Sequence, residues 1–342
     1  MLASAAMSER VLKCPQCSAP LRPPSRFARS TVCPYCSATV LIDPAAVSAA
    51  RYHAARIEWE DSARHGFENV CHIRSGAWAI GRRLGGSDRS DVFAAVRARW
   101  PTERAVVKVL RSINLAGFDH EWEVLSGLQS SDAAGADSLR HRLPGPIAHG
   151  VILDGLYAGR SALVLEWAHG FHYTLDDART ASRRGIAPAA APWLWRRILE
   201  ALSLVHRSGY VHGAVVPAHV LIETGEHGAR LIGFGRATRA GKRLDPPSAS
   251  HPITPFVPPG ARASIATPQL DIEMSARCVV WALGGDPKKG EMSAWVPEPF
   301  AQLLRAAIAS GVGDAWTWRE RIGTVAVEAF GPPAFHPIKL PD

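Results

Sequence analysis

YVHGAVVPAHVLIE, residues 210–223, lies between two patterns that identify themselves by period. Before it, PWLWRRILEALSLVHRSG (192–209) repeats apolar residues at Trp195, Ile198, Leu202 and Val205, the stripe of an amphipathic helix. After it, HVLIE and ARLIG flank TGEHG, a hairpin signal, and the second run closes on Gly233, Phe234 and Gly235. A helix therefore delivers a loop at His212, and a hairpin carries the chain from that loop to Gly233.

Outward from this centre, the composition is that of an ordinary folded chain. It has 342 residues, 47% hydrophobic and 20% charged, enough for one large or two ordinary domains. No apolar run reaches the roughly eighteen residues of a spanning helix, and MLASAAMSER lacks a basic start and a long apolar core. The expectation is a cytoplasmic protein with no membrane partner. The formal charge of +8 invites a nucleic-acid reading. However, the basic residues are mostly Arg spread along the chain, with Lys only at positions 13, 108, 242, 288, 289 and 339, which points to compositional bias over a binding stripe.

Near the N-terminus, Cys14-Pro-Gln-Cys17 and Cys33-Pro-Tyr-Cys36 are fifteen residues apart. That fits the C-x2-C-x15-20-C-x2-C spacing of a tetrahedral zinc site. A redox dithiol or two disulfides are the alternatives, but two matched knuckles in a segment too small for its own core favour zinc. Four thiolates leave no open position for a substrate, so the expected role is structural. The segment 13–42 resembles a zinc ribbon, after a flexible tail at 1–12. A linker helix is expected over 43–66, with Asp43 as N-cap, Pro44 at the first helical position, and Val47, Ala50, Ala54 and Ile57 on one face.

Between Gly76 and the central loop three further motifs occur in order: AIGRRLGGSDRSDVFAAV (79–96), AVVKVL (105–110) and EWEVLSGL (121–128). Together with the loop at His212 and Gly233-Phe234-Gly235, they resemble a protein kinase whose chemistry has been removed. In that family the catalytic loop reads H-R-D-L-x-x-x-N, with Asp as base and Asn on magnesium. On this pattern His212 is kept, Gly213 replaces the Arg, Ala214 replaces the catalytic Asp and His219 replaces the Asn. Gly233 replaces the metal-binding Asp of D-F-G. In the glycine-rich loop Gly85 is kept, while Ser87 and Ser90 stand where further glycines would be and their Cβ atoms hinder approach to phosphates. Lys108 and Glu121 correspond to the strand lysine and its helical partner. The residue over adenine, usually Ala, is Val106.

The resemblance implies an α+β, bilobal protein-kinase-like fold over 70–342, with a β-rich small lobe at about 70–166 and an α-rich large lobe at about 167–342. Leu165 falls at the gatekeeper position, and Glu166 and Trp167 open the hinge. Residues 237–257 resemble an activation segment, with Ser248, Ser250 and Thr254 as candidate phosphorylation sites. FVPPG then places Gly260 where a Glu is usual. Asp271 is expected to accept backbone hydrogen bonds from the loop at His212. After it come a helix over PFAQLLRAAIA and a Pro-rich tail, and GVGDAWTW lacks the Arg that would pair with the missing Glu. Bacterial chains joining a zinc ribbon to a degenerate kinase domain look similar.

The implied function is a catalytically silent pseudokinase, a signalling scaffold that docks a protein partner. One alternative is a nucleotide-binding switch or atypical transferase using Gly85, Lys108 and Glu121, magnesium-independent if ATP binds. Another is a nucleic-acid-binding protein acting through the ribbon. An ion pair between Lys108 and Glu121 also has a purely structural reading, since losing either partner strands a buried charge.

Overall fold

The computed structural model describes residues 14, 16–17, 21, 30–34, 36–41, 67, 69–182, 184–225, 227–244, 247, 251–259 and 264–341. The expected tail at 1–12, the linker helix at 43–66, and Ser248, Ser250 and Gly260 lie outside them.

The chain is mixed α+β: a curled antiparallel sheet, a set of helices and an N-terminal cysteine cluster. Two three-residue strands, β1 (Ser30–Val32) and β2 (Thr39–Leu41), form a hairpin beside the cysteines. The main sheet contains β3 (Asn69–Ile73), β4 (Gly76–Gly86), β5 (Ser90–Arg97), β6 (Trp100–Leu110), β7 (Pro146–Val151) and β8 (Ser161–Glu166). Its order is β3-β4-β5-β6-β8-β7, every pair antiparallel. The sheet curls until its two edges meet, where the Leu153 N–H beyond β7 donates to the His72 carbonyl of β3 at 2.8 Å. Inside the curl lies a small core of its own, including Ile73, Trp78, Ile80, Val107, Val109 and Val164.

Period-two alternation positions the site residues on this sheet. In β6, Ala105, Val107 and Val109 point into the curl and are buried, so Val106 and Lys108 face the other side. Helix α1 (Asp119–Gln129) packs there through Glu121, Val124, Leu125 and Leu128, a helical stripe that carries a carboxylate among leucines.

The remaining helices build the larger core. Helix α2 (Ala191–Arg207) buries the whole expected stripe, Trp195, Ile198, Leu202 and Val205. A hairpin of β11 (Val220–Glu223) and β12 (Gly228–Leu231) pairs Val220 with Leu231 and Glu223 with Gly228, as TGEHG suggests. Two-residue strands complete this region: β9 (Tyr173–Thr174) extends the hairpin, and β10 (Tyr210–Val211) pairs with β13 (Thr238–Arg239). Helix α3 (Pro268–Ala282) begins with Pro268 behind the Thr267 cap. Helix α4 (Glu298–Ser310) follows, ending at Gly311.

Three elements were not evident in the sequence. β3 adds a sixth strand and closes the sheet. A six-residue helix, Leu175–Thr180, with a capping box between Thr174 and Asp177, stands in what reads as a loop. Helix α5 (Ala315–Phe330), capped by Asp314, occupies the stretch just before the Pro-rich tail. Among the described residues, no helix is long and apolar enough to cross a membrane.

Candidate functional site: a lysine cleft closed by a histidine, and a four-cysteine cluster

The four cysteines converge. Their ligand atoms all lie within 4.8 Å of one another, with sulfur–sulfur separations of 3.5 Å for Cys14–Cys36 and 3.6 Å for Cys17–Cys33. Zinc–sulfur bonds of about 2.3 Å give a tetrahedron with edges of about 3.8 Å, so the spacing fits one zinc ion. Knuckle geometry aims them: the Gln16 N–H points at Cys14 Sγ (3.4 Å), and Cys33 exchanges backbone bonds with Ser37 and Ala38. Hydrogen bonds from Cys17 and Cys36 pull the Cys14 thiol down to about 3, which favours the thiolate a metal requires. A zinc ion here would be held by Cys14, Cys17, Cys33 and Cys36 and would supply structural cross-linking, all four positions being taken by protein.

The second site lies between the sheet and the helices. Lys108 Nζ donates to both carboxylate oxygens of Glu121, at 2.8 and 2.6 Å. It also sits 5.2 Å from the centre of the Phe118 ring. Glu121 is buried. The lysine and Glu121 therefore form a charge-assisted pair that needs no ligand to persist.

Next to this pair, the turn linking β4 and β5 uses its own backbone donors. The Ser87 N–H bonds to the Ser90 carbonyl at 2.7 Å, and the Ser87 hydroxyl accepts from the N–H groups of Arg89 and Ser90 at 3.2 and 3.3 Å. A phosphate cradle needs such N–H groups free. Gly85 is not sterically required, since a Cβ there would meet nothing within 4 Å. The crowded glycine is Gly86, where a Cβ would fall 2.6 Å from Arg83 Nη2 and 2.8 Å from Asp91 Oδ1.

The loop at His212 hangs on Asp271 of α3, as its sequence position suggests. The fully buried carboxylate accepts from the backbone N–H groups of His212 and Gly213, both at 2.8 Å. A third contact was not foreseen: His206 Nε2, from the end of α2, lies 2.9 Å from the same carboxylate. His212 Nε2 donates to the Ile232 carbonyl (3.0 Å), which leaves Nδ1 to accept the Ala214 N–H (3.2 Å). Its ring packs edge-on against buried Phe234, centroids 4.5 Å apart. Burial pushes His212 down to about 4 in spite of Asp271.

His219 closes the cleft. Its Nδ1 donates to the Ala214 carbonyl at 2.8 Å, and burial lowers its pKa despite that bond, so the ring is neutral. Gly233 lies directly against it in the left-handed region (φ 82°), and a Cβ at Gly233 would fall 2.6 Å from three atoms of the imidazole. The ring thus occupies the space where any side chain at position 233 would begin. Ala214, buried beside it, contributes only backbone groups to these bonds. Val106 pairs across the sheet with Leu165, and its branched side chain lies on the sheet face that also carries Lys108.

The sequence brought Lys108, Glu121, His212, Ala214, His219, Gly233 and Asp271 to attention, and they gather in this one region. It gave no sign of a buried charge cluster around Glu200, whose partners Arg142 and Arg319 are 58 and 119 residues away. No protein-family model matches this chain, and neither does any curated protein.

Proposed function

We propose that this chain is a catalytically silent pseudokinase, a kinase-like bilobal domain joined to a structural zinc ribbon, that works as a signalling scaffold for a protein partner. The observation that carries the reading is the contact between His219 and Gly233. Phosphoryl transfer needs a metal held by oxygen ligands beside the phosphates. Here the two positions that would supply those ligands hold an imidazole and a glycine, pressed together so that no side chain can be restored at 233 while the imidazole stays. Ala214 removes the base. The internally bonded turn at Ser87 acts in the same direction, since the Ser87 N–H already bonds to the Ser90 carbonyl. Retention of Asp271, His212 and Phe234 fits a scaffold role, because these residues hold the loop's shape without taking part in chemistry.

The test is transfer of labelled phosphate by the purified chain with magnesium or manganese. We expect none above a Lys108→Ala control; transfer abolished by that substitution would overturn the reading. The bidentate Lys108–Glu121 pair favours a second reading, a nucleotide-gated switch without metal. ATP at a hundred times its Kd would then raise stability by about 2.7 kcal/mol, whereas a silent scaffold leaves the melting temperature unmoved.

A further inference from the structure

Glu200 on α2 is fully buried, and guanidinium groups from three elements meet on it. Arg197, on the same helix, donates from Nη1 to both carboxylate oxygens at 2.9 and 3.0 Å. Arg319 of α5 donates from Nε at 3.1 Å, and Arg142, in the short turn Arg140–Arg142, brings Nη2 to 2.9 Å. Arg142, Arg197 and Arg319 are only 2, 6 and 4% exposed. Three positive charges therefore share one negative charge away from solvent. Among the described residues, none of the three arginines pairs with a second carboxylate. A buried charge is tolerated when it is matched, and here the positive charges outnumber their match.

The hydrogen bonding repeats the imbalance. Arg142 Nε and Nη2 and Arg319 Nη2 are buried donors with no hydrogen-bond acceptor among the described residues. Arg142 Nη2 is close to Glu200, yet its N–H groups are not aimed at the carboxylate, so that contact is attraction without a bond. Nearby carbonyls serve other donors: Ala229 accepts from Arg142 Nη1 at 3.3 Å, and His227 from Arg197 Nε at 3.1 Å. The Trp316 ring lies 4.8 Å from the Arg319 guanidinium, but a ring face offers Nη2 no lone pair. Proton loss does not relieve the charge either. Burial pushes Arg142 down to about 10 against the pull of Glu200, which leaves it charged at neutral pH. Burial also holds His141, its neighbour in the chain, at about 3, so that ring is already neutral. The cluster thus calls for an acceptor that carries negative charge; water would meet the donors without matching the charge.

We propose that this cluster is a binding site for a small inorganic monoanion, chloride in physiological salt, held by Arg142 and Arg319 beside Glu200. Both guanidiniums lie within hydrogen-bond distance of the same carboxylate, which brings their unmet donors into one neighbourhood. The near-complete burial of all the side chains involved selects a compact ion over an organic anion. Such an ion ties the turn at Arg142 to α5 across α2. The fold is then stabilised by one kind of salt and not by ionic strength in general, because the ion binds the folded chain alone.

The experiment uses the full chain. Its melting temperature is followed by calorimetry at fixed ionic strength while sodium gluconate is replaced stepwise by sodium chloride. The native protein is expected to show no change at low chloride and then an equal rise for each further tenfold increase, the form that binding to the folded state gives. Sodium bromide should act in the same way. Arg319→Gln is expected to move the onset to roughly tenfold higher chloride or beyond, the scale of one charge-assisted hydrogen bond. The exposed control Arg305→Gln should match the native response. A purely structural role for Arg319 would instead lower the melting temperature equally in both salts. A readout that needs no variant is a native crystal soaked in bromide, whose anomalous signal should lie within hydrogen-bond distance of Arg142 and Arg319. A native melting temperature that is the same in gluconate and chloride would overturn the proposal. So would an identical chloride response in Arg319→Gln, or bromide found only elsewhere.

Discussion

At the scale of single residues, His219 and Gly233 form one steric unit. Gly233→Asp alone forces a Cβ into the imidazole, and overpacking of this kind costs about 1 to 3 kcal/mol. We expect that loss in chemical denaturation and expect His219→Asn in the same chain to recover most of it, because the shorter side chain vacates the space. The pair substitution tests whether the glycine is there to make room for the ring. Asp271→Asn makes a second residue-level prediction. An amide presents donors to some of the three groups that Asp271 now accepts from, and buried unmet donors cost about 1 to 3 kcal/mol; urea unfolding would measure it. These residues were legible in the sequence because each stands at a fixed offset from a motif. The interlock between them was not, since residue identity says nothing about where a ring points.

Helices and strands raise a different question, namely which elements hold the rest. Helix α2 carries both the stripe that fills the core and the carboxylate that gathers Arg142, Arg197 and Arg319. Removing the charge with Glu200→Gln strands three buried guanidiniums, and breaking buried pairs in this way costs about 3 to 5 kcal/mol, so the denaturation midpoint should fall steeply. At the start of α2, Trp193 stacks on His227 and His227 on Phe335, with ring centroids 4.5 and 4.2 Å apart. Trp193 Nε1 also donates to the His336 carbonyl at 2.8 Å, which ties the tail to α2. Phe335→Ala is expected to cost about 1 kcal/mol from the aromatic contact, with increased proteolysis near the C-terminus as the readout. Helix α2 could be read from its period because its buried positions are apolar. Helix α5 could not, because one of its buried positions is Arg319, which breaks the stripe. β3 is too short and too mixed, NVCHI, to stand out before its partner strand is known.

For the molecule as a whole, buried histidines set the response to acid. The usual value for a histidine is about 6.5; in the folded chain burial holds His212 and His227 at about 4. Both pKa values are depressed by folding, so the unfolded chain takes up protons first. Stability is complete above pH of about 6.5 and is lost as pH falls towards 4, with His212 contributing up to about 3 kcal/mol. Burial would raise Glu200, but Arg197, Arg142 and Arg319 hold it at about 2, so its contribution is lost only below pH of about 4.5. The melting temperature should therefore decline in two stages on acidification, the first removed from the His212 share by a neutral substitution there. The order of the motifs was readable along the chain, but the closure of the sheet was not, because that depends on one backbone bond between residues 72 and 153. This seam bears on whether a further strand can join the sheet. At this seam the Leu153 N–H and the His72 carbonyl are already paired with each other, so extension of the sheet by another chain's strand is disfavoured at that point. A strand added there would first have to break that bond, so the seam is the part of the sheet border where an extended peptide gains least.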